Sequence, residues 1–126
     1  MRLLAAALLA CLPLSAAATP DGSYGPQLEG FDYPWPVQSV TLHSQRQDLQ
    51  MAYLDLAPQE PVRGTVVLLH GKNFCAATWQ QTIAPLLEAG YRVIAPDQIG
   101  FCKSSKPAGY QHSVGQLAAD RQSDLS

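Results

Sequence analysis

The sequence predicts an α/β fold built on a mostly parallel sheet. Two short apolar runs, residues 65–69 and 91–95, are the first observation; such runs bounded by turn signals fit strands buried on both faces. The second is that each run ends in a polar, glycine-bearing turn: His70-Gly71-Lys72-Asn73 after one, Pro96-Asp97-Gln98-Ile99-Gly100 after the other. The third is a helical stretch between them, long enough for a right-handed βαβ crossover.

The elements follow in chain order. Arg2, an apolar core over residues 3–14 and the small-residue run Ala16-Ala17-Ala18 read as a signal peptide, residues 1–18, cleaved after Ala18. The apolar core is too short to span a bilayer. Leu8-Leu9-Ala10-Cys11 has the look of a lipoprotein signal, which would place a lipid on Cys11. The reading adopted is cleavage, with an exported product, periplasmic or secreted, and no membrane contact unless Cys11 is lipidated. Residues 19–36 form an arm with four prolines and three glycines, extended and irregular. Tyr24, Phe31, Tyr33 and Trp35 are expected to pin it by packing. Residues 37–43 and 49–56 read as two strands of a hairpin, separated by polar residues 44–48. Pro58 and Pro61 end the second, and residues 65–69 are the first buried strand. Thr78-Trp79-Gln80-Gln81 has the form of a capping box, Ile83, Leu86 and Leu87 keep helical spacing, and Gly90 is a helix stop. Pro85 should kink that helix. Residues 91–95 are the second buried strand. Beyond Pro107, Val114, Leu117 and Ala118 could open another helix, and residues 119–126 lose any apolar periodicity.

Composition narrows the function classes. Net charge is −2 with eight scattered basic residues, which favours neither nucleic acid nor an anionic membrane as partner. Charged residues make up 14% of the chain, below the usual ~25%, so some surfaces expect to be covered. Cys75 and Cys102 survive signal cleavage. There is no Cys-x-x-Cys, and His70 or His112 would have to join them at irregular spacing, so neither metal nor cofactor is expected.

His70-Gly71 after the third strand, and Pro96-Asp97-x-x-Gly100-x-x-x-Ser104 after the fourth, resemble the N-terminal part of the α/β-hydrolase superfamily. The resemblance covers about residues 37–107. It implies that residues 37–126 are the N-terminal half of such a domain, a β-hairpin followed by βαβ, ending before the nucleophile elbow. No Gly-x-Ser-x-Gly occurs in the chain. Nucleophile, triad acid and triad His are therefore expected to be missing, and the chain alone to be inactive. In the superfamily a backbone N–H of the loop after the third strand completes the oxyanion hole. Carried to this sequence, the donors are Lys72 and Asn73, and Gly71 lets the backbone approach the substrate. His70 braces the loop; it cannot be the catalytic base, which follows the nucleophile in chain order. Asp97 takes a structural role, satisfying nearby backbone donors. Cys102 stands where related chains often carry glycine. Cys75 and Cys102 both follow the ends of neighbouring strands, which implies either a disulfide or two buried thiols. The third strand lies between the fourth and fifth in the superfamily's sheet, so residues 66–69 become an apolar edge.

Gln111-His112-Ser113-Val114-Gly115 imitates an elbow, but the residues before it are turn-like rather than a strand. The implied function is hydrolysis of an ester or related acyl bond in a small-molecule substrate. An Asp nucleophile would mean epoxide or carbon–halogen hydrolysis instead. The reading from another class is a non-catalytic fragment, from truncation or a frame shift near Ala119.

Overall fold

The computed structural model describes residues 22–59 and 61–113. The expected signal peptide with Cys11, the start of the arm, the helix expected from Val114 and the off-pattern residues 119–126 lie outside the described residues.

Strands β1 (Gln38–Ser44) and β2 (Gln47–Leu56) pair antiparallel, with Ser44 opposite Gln47. The five polar residues expected to separate them shrink to a two-residue turn, Gln45-Arg46, with φ of 50° and 59°. Two positive φ values match the twist of a hairpin and ordinarily favour Asn or Gly. Here the Gln45 side chain fixes the turn from outside: its amide donates to the Gln111 carbonyl at 2.8 Å and accepts the Gln111 N–H at 3.0 Å.

Strand β3 (Gly64–Val67) leads through the turn after it to a 3₁₀ turn at Ala76–Trp79, helix α1 (Gln80–Glu88) and strand β4 (Tyr91–Pro96). The sheet order is β1-β2-β4-β3. β4 is antiparallel to β2 and parallel to β3, so two of the three pairings are antiparallel. Each parallel pairing needs a crossover, and α1 is the single crossover helix among the described residues.

Burial separates the two apolar strands. Val93, Ile94, Ala95 and Pro96 of β4 are buried, as expected of a central strand. β3 is not buried on both faces: its residues alternate between half-buried and exposed, and Val67 is 37% exposed. Among the described residues β3 pairs only with β4, which makes it the edge that the resemblance implied.

The capping box does not form. The Thr78 hydroxyl donates to the Cys75 carbonyl at 2.7 Å, and α1 begins only at Gln80 with no side-chain cap. The first N–H of the 3₁₀ turn, that of Ala76, is instead accepted by Asp97 from the end of β4 at 2.7 Å. Pro85 sits on the exposed side of α1, and the helix runs on to Glu88. Gly90 ends it at φ +89°, as the sequence predicts.

The core lies on both faces of the sheet. Leu54, Ala76, Ile83, Val93 and Ala95 cluster beneath α1, with Tyr33 and Trp35 of the arm and the adjoining Val37 packed against them. Leu42, Leu49, Met51 and Ile99 form the second cluster. Met51 and Leu54 differ by an odd number of residues, so β2 feeds opposite faces. Tyr24, Phe31 and Tyr33 make two successive edge-to-face contacts at 5.3 and 5.8 Å.

Candidate active site

The residues that the sequence singles out converge on two neighbouring loops at the carboxyl ends of β3 and β4. This is where open α/β sheets place their ligand sites.

The loop after β3 turns sharply at Gly71-Lys72-Asn73-Phe74, closed by the Phe74 N–H on the Gly71 carbonyl at 3.2 Å. Asn73 has φ 69°, a left-handed conformation that Asn tolerates and that the third position of a type II turn requires. The backbone N–H groups of Lys72 and Asn73 have no partner among the described residues, and both residues are exposed. A Cβ on Gly71 would meet only the Phe74 ring, at 3.9 Å, so the described residues leave that face of the glycine open.

His70 braces the turn from beneath. It is 4% exposed, its Nε2 accepts the Gln98 N–H at 2.9 Å, and its Nδ1 lies 2.9 Å from the Gly71 carbonyl. An acceptor on Nε2 assigns the proton to Nδ1, which then donates to Gly71. The Gln98 amide closes the bracket by donating to the His70 carbonyl at 2.5 Å. Both ring nitrogens are thus engaged within the fold.

Asp97 is fully buried and satisfies backbone donors of both loops. Oδ1 accepts the Ala76 N–H at 2.7 Å, and Oδ2 accepts the Lys103 N–H at 3.1 Å and the Tyr33 hydroxyl at 2.5 Å. Charge-assisted bonds of this kind offset the cost of burying a carboxylate. Burial pushes the Tyr33 hydroxyl far above the usual phenol range, and the Asp97 carboxylate adds to the shift. Ser104 anchors the second loop: its hydroxyl donates to the Asp97 carbonyl at 2.5 Å and accepts the Ala52 N–H at 2.9 Å.

Cys75 and Cys102 form a disulfide between the two loops, with Cα atoms 5.8 Å apart. Cys102 has φ 47°, a left-handed conformation that favours glycine. The Cys75, Cys102 and Asp97 ligand atoms lie within 4.8 Å of one another. The sulfurs are bonded to each other and the carboxylate is filled by donors, so this cluster offers a metal no free thiolate.

Two grooves flank the turn. One, of about 390 Å³, is lined by His70, Gly71, Phe74, Thr78 and Trp79; the other, of about 360 Å³, by His70, Lys72, Gln98, Phe101 and His112. No strand leads directly into Ser113: residues 97–113 are turns and irregular chain, so the elbow-like pentapeptide lacks an elbow's context. No helix among them is long and apolar enough to cross a membrane.

Sequence reasoning missed three contributors. Tyr33 reads as one of the packing aromatics of the arm, and nothing local marks its hydroxyl. Gln98 carries no signal at all. Ser104 is visible as the last residue of the Pro-Asp motif, but its bridge to β2 is not.

A family model described as alpha/beta hydrolase fold matches residues 64–122. The crystal structure of "a probable hydrolytic enzyme" from Pseudomonas aeruginosa PAO1 is 60% identical, superposes with a TM-score of 0.78, and is matched over 81% of this chain and 33% of that one. A haloalkane dehalogenase of Mycolicibacterium paratuberculosis is 40% identical over 91 residues, 71% of this chain and 29% of the relative. Epoxide hydrolase A of Mycobacterium tuberculosis is 40% identical over 62 residues, 48% of this chain and 19% of the relative. The chain therefore spans a third or less of the length of these relatives.

Proposed function

We propose, for a chain that belongs to the α/β-hydrolase superfamily, that its Gly71-Lys72-Asn73-Phe74 turn supplies oxyanion-stabilising donors to the hydrolysis of an ester or related acyl bond. The observation that carries this reading is the pair of N–H groups at Lys72 and Asn73, unpartnered among the described residues and held on a turn whose base is fixed by His70 and Asp97. Preorganised donors stabilise charge that develops on the substrate oxygen because they need no reorganisation as it forms. The open face of Gly71 supports close approach by a substrate. The nucleophile, triad acid and triad His come from outside these 126 residues, and the chain alone is inactive. The leader at residues 1–18 exports the product.

A second reading is hydrolysis at a carbon–halogen bond or an epoxide by an Asp nucleophile. What favours it is the names of the haloalkane dehalogenase and epoxide hydrolase relatives.

The test is a chimaera in which residues 22–113 replace the matched third of the 60%-identical Pseudomonas enzyme. It is expected to cleave p-nitrophenyl acetate. Lys72→Pro then removes the N–H at the turn position where proline is favoured, leaving Asn73 to carry the positive φ. A loss of about 10²–10³ in kcat is expected, the usual effect of deleting one oxyanion donor. An unchanged kcat in Lys72→Pro overturns the reading. Turnover of a 1-haloalkane or an epoxide without turnover of the ester selects the second one.

A further inference from the structure

We propose that the N-terminal arm belongs to the site, with Tyr33 as a positioning residue that fixes the Asp97 carboxylate and, through it, the Ala76 N–H behind the oxyanion turn. The arm lies outside the stretch of residues 64–122 that the family model matches, so nothing in that match assigns it a role.

Among the described residues three donors hold the buried carboxylate. Two are backbone N–H groups, one from each loop, at Ala76 and Lys103. The third, the Tyr33 hydroxyl, is the one side-chain donor, reaching Oδ2 from 64 residues away at 2.5 Å. A carboxylate on a single short side chain can swivel about its last bond. Anchoring Oδ2 with a side chain from a third direction leaves Oδ1 aimed at Ala76. Without the hydroxyl, Oδ2 keeps only the longer bond from Lys103, at 3.1 Å.

The arm is held firmly enough to act as that anchor. The Tyr33 ring packs against the core beneath α1 and edge-on to Phe31. Lys103 grips the arm twice more: its ammonium lies 5.2 Å from the Tyr33 ring centre and donates to the Leu28 carbonyl at 3.0 Å. The residue whose backbone feeds Asp97 thus also clasps the arm through its side chain. Phenylalanine at position 33 would serve packing and the ring contacts as well as tyrosine does. Among the described residues the hydroxyl has one partner, the carboxylate, and that is what marks a positioning role.

The catalytic consequence rests on the reading of the turn as oxyanion donor; the geometric coupling does not. The test is therefore hydrogen exchange, read at single amides, on the full chain and its Tyr33→Phe variant. The Ala76 and Lys103 amides are expected to exchange on the order of tenfold faster, the equivalent of one charge-assisted hydrogen bond. Val93 and Ala95, in the core of β4, are expected to keep their rates. Unchanged exchange at Ala76 overturns the proposal. Equal acceleration at Val93 and Ala95 overturns it too, since Tyr33 would then be structural only. Tyr24→Phe, an arm substitution on an exposed residue, is expected to change neither. If Tyr33→Phe does not fold, the wild-type protein decides by alkaline absorbance titration. One of its five tyrosines staying protonated well beyond the rest supports the proposal, and all five ionising together overturn it. In the chimaera, Tyr33→Phe should lower kcat and leave KM unchanged. Faster Ala76 exchange beside an unchanged kcat in Lys72→Pro would uphold the coupling and reject the oxyanion reading.

Discussion

Cys75 and Cys102 each stand one residue before a backbone donor of the Asp97 carboxylate, so the disulfide and the carboxylate clamp the same two segments of chain. The bridge closes a separation of 27 residues, worth roughly 3–4 kcal/mol in the chain-entropy account. Asp97→Asn replaces one accepting oxygen by an NH₂ group that faces a donor, at about 3 kcal/mol. Because each clamp limits how far the other's segments can separate, the costs should couple. Denaturant unfolding of wild type and Asp97→Asn, with and without dithiothreitol, is expected to show a combined loss larger than the sum of the two. Additivity within about 0.5 kcal/mol would mean that the clamps act independently.

His70→Phe should preserve volume and remove both polar contacts of the ring. The Gln98 N–H then loses the acceptor that Nε2 supplies, at a cost of about 1–3 kcal/mol. Urea unfolding measures it. A variant as stable as wild type would show that His70 does not brace the turn.

Gly90→Ala tests the helix stop. The residue sits at φ +89°, and an added Cβ would lie 3.0 Å from Cδ of Arg63 and 3.6 Å from the Pro61 carbonyl oxygen. Left-handed backbone costs a side chain about 1–2 kcal/mol before any crowding. Arg63 can give way, but its main chain is tied to the same turn by its N–H on the Gly90 carbonyl at 2.8 Å. A fall in Tm is expected, and an unchanged Tm would show that the turn relaxes freely.

Alkaline pH should loosen the arm. The Tyr33 hydroxyl has its folded pKa raised above the ordinary value of 10.0, chiefly by burial and then by Asp97. Its contribution is complete below the unfolded pKa and is lost progressively as pH rises past about 10, where the unfolded chain ionises first. The alkaline loss of stability should therefore be smaller in Tyr33→Phe than in wild type. Equal slopes above pH 10 would mean that Tyr33 is not held in its protonated form.

The sequence alone determined the parts of this protein governed by short-range physics. The two apolar runs, the polar alternation of the hairpin, the helical spacing of Ile83, Leu86 and Leu87, and the stop at Gly90 are all local constraints. They locate five of the elements to within a few residues. The family resemblance carried by His70-Gly71 and Pro96-Asp97 also pointed to the two loops of the candidate site, which leave the same end of the sheet because β3 and β4 are parallel. Tertiary structure decided what those loops are bonded to. Thr78 has the local form of a helix cap, yet its hydroxyl turns to Cys75 while Asp97, 21 residues away, takes the N–H of Ala76. Gln45 and Arg46 form a turn that their own propensities disfavour, held by Gln111 from 66 residues away. Val66 and Val67 look as buried as Val93 and Ile94, but burial depends on which strands lie alongside, and β3 is at the edge of the described sheet. Tyr33 has the composition of a packing aromatic, and only the fold brings its hydroxyl to a buried carboxylate. Local propensity is worth a fraction of a kcal/mol per residue, whereas leaving a buried charge or N–H unpaired costs several times that. The fold therefore satisfies the Asp97 carboxylate and the Ala76 N–H first, and the local preference of Thr78 yields to that.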